Sequence, residues 1–597
     1  MAYFGSPGPV FSFGSSNSGS DSLFSSSVPS FTFNTSPSTS TSPSPLTSTL
    51  SAPPSFPNST PPFSVPFVGS LHNGNRTTAH NSSTTTGSAS ISTSKSAPDS
   101  APQISTVPVM TLKLMIEKKM NRVVFSESNK DFIDLLFSFL TLPIGTIIRL
   151  LEDKSPPTVI GCMNQLYKSV ENLDTQLFIT EACKKMLLQL TRLPEVQCKN
   201  LKAAIEKNLE PSKCFYFCSN SDCRTGGKGI LSDFPNVRCH CGQVLNQLAT
   251  LTETNSHKGN GGFVKRRVEQ FLVSGDFKVM PGSTSPTLTL LKDLNIVDAN
   301  ELESRSLILG PIEILQLLRL SLVSKTPLKH WMHLKQGITF LNELEAKDFG
   351  ELLDIKPANS ESKKMDLKLF VSKCRNEVLY AESGEDFVDF LFSFLTFPLG
   401  SIIKLLGGKS SLGCVDNLYS SVQNFSTDNY LQSEEVERML LSPKLAPFSA
   451  CESQLLDIEE SVNPQYMVDS CWEQNIEWFV RPVIADSNCN SFEGKLSGPL
   501  SLVNPKSSAG ETTGGGGFVK GPVKFMVTGA LAVTLLSPTS ITSYLADLNV
   551  PITDVCEKVV SVGENEALNL LKMALVSGKA LTNVFNLGDG QSVSESE

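Results

Sequence analysis

The chain has 597 residues, 40% of them hydrophobic, a formal net charge of −9 and a sequence pI of about 5.4. A mildly acidic chain lacks the basic face that nucleic-acid binding draws on, so no nucleic-acid partner is expected. The best candidate membrane segment, 135–148, is fourteen residues without a charge, shorter than a bilayer span. No charged-then-apolar secretory signal opens the chain. The sequence therefore predicts an intracellular protein, cytoplasmic or nuclear, without a membrane span. In such a compartment clustered cysteines point to metal more than to disulfides.

Residues 1–107 are rich in Ser, Thr and Pro, and the first 94 hold one acid, Asp21, and one strong base, Arg76. Such a segment has too little apolar surface to offset its chain entropy and reads as a disordered tail. Phe4-Gly5 and Phe13-Gly14 resemble the phenylalanine-glycine pairs of nuclear-pore tails. The Ser-rich, acid-poor composition also permits a plastid transit segment, although arginine is scarce. An unstructured extension is the plainest reading.

Beyond the tail the chain repeats itself. Residues 131–151 read DFIDLLFSFLTLPIGTIIRLL and residues 386–406 read DFVDFLFSFLTFPLGSIIKLL, with fifteen of twenty-one positions identical. LKLMIEKKMNRVVFSES (112–128) matches LKLFVSKCRNEVLYAES (367–383), GGFVK recurs at 261 and 516, and EILQLLRLSLVS (313–324) matches EALNLLKMALVS (566–577). This predicts two related domains, 108–330 and 363–588, joined by a partly helical linker at 331–362 and followed by a polar tail at 589–597.

Each domain opens with two alternating runs around a polar turn, a hairpin signature. Ser128 and Asp131, like Ser383 and Asp386, have the spacing of a helix capping box. Phe132, Leu135, Leu136, Phe139 and Leu140 form one helical stripe, and Ile133 and Phe137 lie off it, predicting a helix buried on two sides. Pro143 and Pro398 suit the first turn of a new helix, so a break is expected there. Helices near 160–172, 180–190 and 199–209, strands near 263–280, and helices near 286–294 and 311–324 complete an α+β fold. The long repeated block and the GGGFVK strand resemble a plant-specific family catalogued as a domain of unknown function, number 674. That resemblance implies tandem repeats in an intracellular plant protein, with no established activity, cofactor or partner.

Five of the fourteen cysteines fall within 214–241. Cys218-x4-Cys223 and Cys239-x-Cys241 are two short pairs, the arrangement from which a fold builds a tetrahedral zinc site. Aligning 198–218 with 451–471 places Cys218 on Cys471, Cys214 on Met467 and Cys223 on Ile476. The second copy thus keeps an incomplete set, and Cys489 alone stands where Cys239 and Cys241 would be. The expected ligands are Cys218, Cys223, Cys239 and Cys241, with Cys214 outside them and the zinc clasping a loop. Reduced, unligated thiols are the competing reading.

Other chemistry is weakly signalled. The lysine of GGFVK follows Phe-Val within a strand, unlike a phosphate loop, so a flexible loop is expected. Asp131, Asp134 and their copies Asp386 and Asp389 read as helix-start acids. His330 and His333 lack an acid partner, and Lys265-Arg266-Arg267 reads as a solvated strand end. No catalytic residues are assigned. The expected function is a non-enzymatic interaction or scaffold module binding unidentified protein partners. An enzyme with its site between the two domains, and a nuclear or pore-associated factor, stand as alternatives.

Overall fold

The two alternating runs form the predicted hairpin. β1 (Met110–Glu117) pairs antiparallel with β2 (Arg122–Ser128) across a turn in which Asn121 has φ +46°, a left-handed conformation that asparagine tolerates well. The computed structural model describes residues 110–585, apart from 153–157, 190–200, 202–213, 221–222, 224–228, 252–261, 266–269, 338–351, 354–362, 428–429, 464, 472–476 and 483–499. The tail read at 1–107, the helix read at 199–209 (Leu201 excepted), most of the linker, Cys489 and the polar tail lie outside the described residues.

After the hairpin come α1 (Lys130–Ser138), a 3-10 turn at Phe139–Thr141, α2 (Ile144–Leu151), α3 (Met163–Asn172) and α4 (Glu181–Leu188). The break falls at Leu142 and Pro143, both extended, as the proline predicted. The cap is a correction. Asn129 caps α1, its side chain accepting from the Phe132 N–H at 3.2 Å, while Ser128 is the last strand residue and its Oγ lies 3.0 Å from Ser126 Oγ. In the second half Gly384 holds the cap position. The strand runs one residue further than the motif allowed, so serine faces the sheet interior.

The first half continues with β3 (Cys214–Cys218), β4 (Ile230–Ser232), β5 (Leu245–Leu251), β6 (Phe271–Ser274), β7 (Val279–Pro281), α5 (Thr284–Asp293), β8 (Leu302–Leu309), α6 (Pro311–Val323) and α7 (Pro327–Lys335). The second half has the same order of hairpin, helices, three strands, two strands, helix, strand and helices. It runs from β9 (Met365–Ser372) and β10 (Glu377–Ser383) through β11 (Gln465–Cys471), β12 (Glu477–Pro482), β13 (Leu500–Leu502), β14 (Phe525–Thr528) and β15 (Val533–Leu535) to β16 (Val555–Val562) and the helix α13 (Glu564–Val576). Each half builds one five-stranded sheet, β7-β6-β2-β1-β8 and β15-β14-β10-β9-β16. The remaining strands close a six-stranded barrel, β11-β12-β5-β3-β4-β13, three from each half, joined by parallel pairs β12–β5 and β13–β4.

The halves interlock. Ile144 N–H donates to Phe397 O at 3.1 Å, and Leu399 N–H donates to Leu142 O at 3.0 Å, so the two proline breaks lie back to back. Cys162 N–H reaches Ala574 O, and Cys414 N–H reaches Ser321 O, each crossing to the other half. Gly161 and Gly413 precede them with φ of +48° and +43°, and a Cβ on either would overlap a carbonyl of the opposing helix. Ser169 and Ser421 Oγ accept the N–H of Val533 and Val279, again across the halves. Every residue of the predicted α1 stripe is buried, as are Ile133 and Phe137, in an apolar core drawn from both halves.

The repeated GGFVK is fixed by a buried acid. Asp134 Oδ1 accepts from Phe263 N–H (2.7 Å) and Val264 N–H (3.0 Å), and Asp389 Oδ1 accepts from Phe518 N–H (2.8 Å) and Val519 N–H (3.0 Å). A Cβ on Gly262 or Gly517 would overlap the other carboxylate oxygen. Asp134 and Asp389 are therefore not helix-start acids; their carboxylates hold a loop more than a hundred residues away. The loop then crosses over: Lys265 N–H donates to Tyr430 O, and Lys520 N–H donates to Leu177 O.

Asp389→Ala would orphan two buried N–H groups at about 1–3 kcal/mol each, whereas Asp389→Asn keeps an acceptor. Urea unfolding should show a large loss for alanine and a much smaller one for asparagine; equal losses would contradict the loop anchor. Burial raises the Asp389 pKa to about 6, above its unfolded value of about 3.9. The ionised carboxylate thus costs stability above pH 6 and nothing once both states are protonated below about pH 4. The stability of Asp389→Asn relative to the parent should accordingly rise between pH 4.5 and 7.5.

Candidate metal centre

The cysteine region sits at one end of the barrel. β3 ends at Cys218, in register with Leu245 at the start of β5, with a bulge between Phe217 and Cys218. Antiparallel pairing brings the end of one strand beside the beginning of the other, so Cys218 at the end of β3 and Cys223 beyond it meet the pair before β5. Phe215, Phe217, Leu231, Phe234, Val237 and Leu245 are buried beneath them.

The approach to β5 is a tight loop. Leu245 N–H donates to Val237 O (2.8 Å), Cys239 N–H to Gln243 O (2.7 Å) and Gly242 N–H to Cys239 O (2.8 Å). Gly242 has φ +83°, a conformation glycine adopts without a Cβ penalty. Two amides turn toward sulfur: the Cys241 N–H toward Cys239 and the Gln243 N–H toward Cys241. The Cys-x-Cys-Gly spacing, tighter than the usual two-residue gap, thereby aims both sulfurs to one side.

The Sγ atoms of Cys218, Cys223, Cys239 and Cys241 all lie within 4.8 Å of one another. Cys218 Sγ is 3.6 Å from Cys241 Sγ, and Cys239 Sγ is 3.9 Å from Cys223 Sγ. A tetrahedron with metal–sulfur bonds of about 2.3 Å has edges of about 3.8 Å, so these spacings suit one ion coordinated by all four. Cys218, Cys223 and Cys239 are buried and Cys241 is exposed. The Gln243 N–H beside its sulfur lowers Cys241 to about 7, while burial pushes Cys223 up to about 11 and Cys239 upward as well. Cys241 thus offers a thiolate near neutral pH, and the other protons leave as metal binds.

The structure gathers the four cysteines that the internal alignment singled out. Cys214 lies at the far end of β3, in register with Thr250. In the second half Cys471 ends β11 opposite Glu477. His330 and His333 turn to different partners, Ser324 Oγ at 2.6 Å and Asn121 Nδ2 at 3.4 Å. Lys265 is described, but Arg266 and Arg267 are outside the described residues.

Sequence reasoning missed what closes over this loop. Ser501 N–H donates to Gly229 O and Val503 N–H to Leu231 O, laying the second half along β4. Gly510, with φ +79°, then packs on the loop so closely that a Cβ would fall 2.5 Å from His240 N and 2.7 Å from the Cys239 carbonyl carbon. No local signal marks Gly510 as a neighbour of cysteines some 270 positions earlier.

Also missed was Lys506, a buried lysine whose Nζ donates to Ala450 O (2.6 Å) and Gly516 O (3.2 Å) and lies 4.1 Å from the Phe518 ring centroid. Burial lowers its pKa. It braces the approach to the second GGFVK, while in the first half Lys130 pairs with Asp134.

Fold and site together define an α+β protein with a four-cysteine cluster at the end of a shared barrel, able to hold a metal ion. Among the described residues no helix is long and apolar enough to cross a membrane. The chain belongs to the family described as protein of unknown function (DUF674), whose model matches residues 106–565. No curated protein and no solved structure matches it.

Gly510→Ala should push against backbone and cost about 1–3 kcal/mol, as overpacking does. Hydrogen exchange should quicken at the Cys239 and Leu245 amides; unchanged protection there would show that the close packing does not brace the loop.

Proposed function

We propose that Cys218, Cys223, Cys239 and Cys241 hold one structural zinc ion, and that the chain is a non-enzymatic, duplicated interaction module. The observation that supports this is the donor set: four thiol sulfurs at tetrahedral spacing, three of them buried. Catalytic zinc sites keep one position open for water or substrate, whereas four-thiolate sites are closed and structural. A soft, all-sulfur set favours zinc over hard cations such as magnesium or calcium. The clasped loop lies under Gly510, so the metal would steady the seam between the halves and leave their outer faces to partners.

Elemental analysis of the full chain should find about one zinc per polypeptide. Cys223→Ser and Cys239→Ser should lose it, and Cys183→Ser, a buried cysteine outside the cluster, should keep it. A metal-free parent, or equal content in all four proteins, would end the zinc assignment. Purified gently from its native source, the chain should run heavier than its own 64.7 kDa, with a second polypeptide in fixed proportion. A lone chain would overturn the interaction module.

A further inference from the structure

The four clustered thiols differ in how solvent reaches them. Cys218, Cys223 and Cys239 are buried, whereas Cys241 is exposed, so a small oxidant meets one sulfur of the cluster first. The distances then divide the set into two pairs, Cys241 with Cys218 at 3.6 Å and Cys239 with Cys223 at 3.9 Å. Each pair joins a cysteine at or beyond the end of β3 to one of the loop before β5. The frame that holds the sulfurs together is the β3–β5 ladder, with Phe217, Leu231 and Leu245 buried beneath it. The second half is a control on that frame. Its strands β11, β12 and β13 take their places in the same barrel, although Ile476 stands where the first half has Cys223 and the described residues hold no second cluster. Barrel strand pairing therefore does not depend on such a cluster.

What the cluster does touch is the seam between the halves. Gly510 lies against the Cys239–His240 peptide, with no space for even a Cβ between them. It belongs to a short loop, 504–516, that is tied to itself. Asn504 N–H donates to Glu511 O (2.7 Å), Asn504 Nδ2 to Thr513 O (2.9 Å) and Lys506 Nζ to Gly516 O (3.2 Å). On one side of this loop Val503 N–H donates to Leu231 O at 2.8 Å, in the barrel. On the other side Phe518 N–H is held by Asp389. A shift of Cys239 has no free space to vanish into, and one closed loop passes it from the cysteines to the second GGFVK.

We propose that the cluster is a peroxide-responsive switch: two peroxide molecules convert its four thiolates into the disulfides Cys218–Cys241 and Cys223–Cys239, zinc is released, and the 504–516 loop loses its support. The switch rests on the four-thiolate zinc site proposed above. A metal-bound thiol is already deprotonated, and the thiolate is the attacking form. The Cys241 sulfur attacks one peroxide oxygen, the O–O bond breaks, hydroxide leaves and a sulfenic acid remains. The Cys218 sulfur attacks Cys241, the S–S bond forms and a second hydroxide leaves. The two cysteines lose two electrons, peroxide gains them, and two protons from solvent turn both hydroxides into water. Two donors then remain for the metal, too few to close a structural site. Cys239 and Cys223 are freed, and a second peroxide repeats the same step on them. Thiol–disulfide exchange with a reductant reverses both steps.

The test treats the full, zinc-loaded chain with hydrogen peroxide. Zinc is followed with a colorimetric chelator, disulfides by peptide mass spectrometry and the seam by hydrogen exchange. Cys374, an exposed cysteine outside the cluster whose thiol the neighbouring Asp554 carboxylate holds toward the protonated form, serves as an internal clock. Zinc release should run at least tenfold faster than Cys374 oxidation, and the products should be Cys218–Cys241 and Cys223–Cys239. Exchange at the Val503 and Asn504 amides should quicken at least tenfold, and dithiothreitol with zinc should restore it. Cys374→Ala should leave the release unchanged. Zinc retained while Cys374 is oxidised would overturn the switch and leave the zinc site standing. A chain that carries no zinc before peroxide is added would end the zinc site, and the switch with it. Disulfides Cys218–Cys223 and Cys239–Cys241, or unaltered exchange at Val503, would overturn the proposal. So would loss of the far-ultraviolet circular dichroism on oxidation, because the event would then be unfolding.

Discussion

A carboxylate on the second turn of the first helix carries more of this architecture than its position suggests. Asp134 and Asp389 are buried, and each spends one oxygen on two consecutive backbone N–H groups. Burying an ion in an apolar core is expensive, and two charge-assisted hydrogen bonds from a fixed loop are among the few things that offset it. The glycine before each Phe-Val is the geometric condition, since a side chain there would occupy the space of the carboxylate. The phenylalanine and valine then enter the core, and the next residue bonds to the opposite half. One acid–loop contact therefore sets the path by which each half reaches across to the other.

That coupling explains why repeats separated by about 255 positions share a single apolar core. Proline breaks pair on each other, Gly-Cys turns dock on the opposing helix, and serines on α3 and its counterpart (Val415–Thr427) cap strands of the other half. Each contact occurs twice with partners exchanged, so any residue that improves one can improve its copy. The shared barrel follows the same logic: three strands from either half expose two edges, and edges are satisfied by pairing. The parallel pairs β12–β5 and β13–β4 are those satisfied edges.

Much of the local structure was legible because it rests on local rules. The hairpin, the helix with two buried sides and the break at Pro143 follow from alternation, helical periodicity and the ring of proline. The cysteine quartet was legible because the diverged copy served as a control on which cysteines belong together. What stayed hidden was non-local. β8 alternates weakly because it is a sheet edge, with Ser304, Arg305, Ser306 and Ile308 all exposed. The barrel could not be read because its strands are short and half come from the other copy. Asp134 looked like a helix-start acid because its partners lie 129 and 130 residues away; the signal available was that the acid and GGFVK recur together.

The cysteine cluster shows how duplication lets one copy specialise. Both halves supply three strands to the barrel, yet the metal-ligand set is gathered in the first, at a loop that the second covers with Gly510. The pairings round the barrel run β3 and β11 in the same direction, so the two halves end these strands, at Cys218 and Cys471, on one side of the barrel. Among the described residues only the first half gathers four sulfurs there, so the halves differ in chemistry on a nearly symmetric frame. The same asymmetry recurs on α6 and α13, where Asn569 holds Leu353 and Gln316 has no equivalent partner among the described residues. Symmetry fixes the frame through buried glycines, prolines and acids that cannot change without breaking a reciprocal contact. The freedom to differ is left to residues outside those contacts, which is where a recognition surface can evolve.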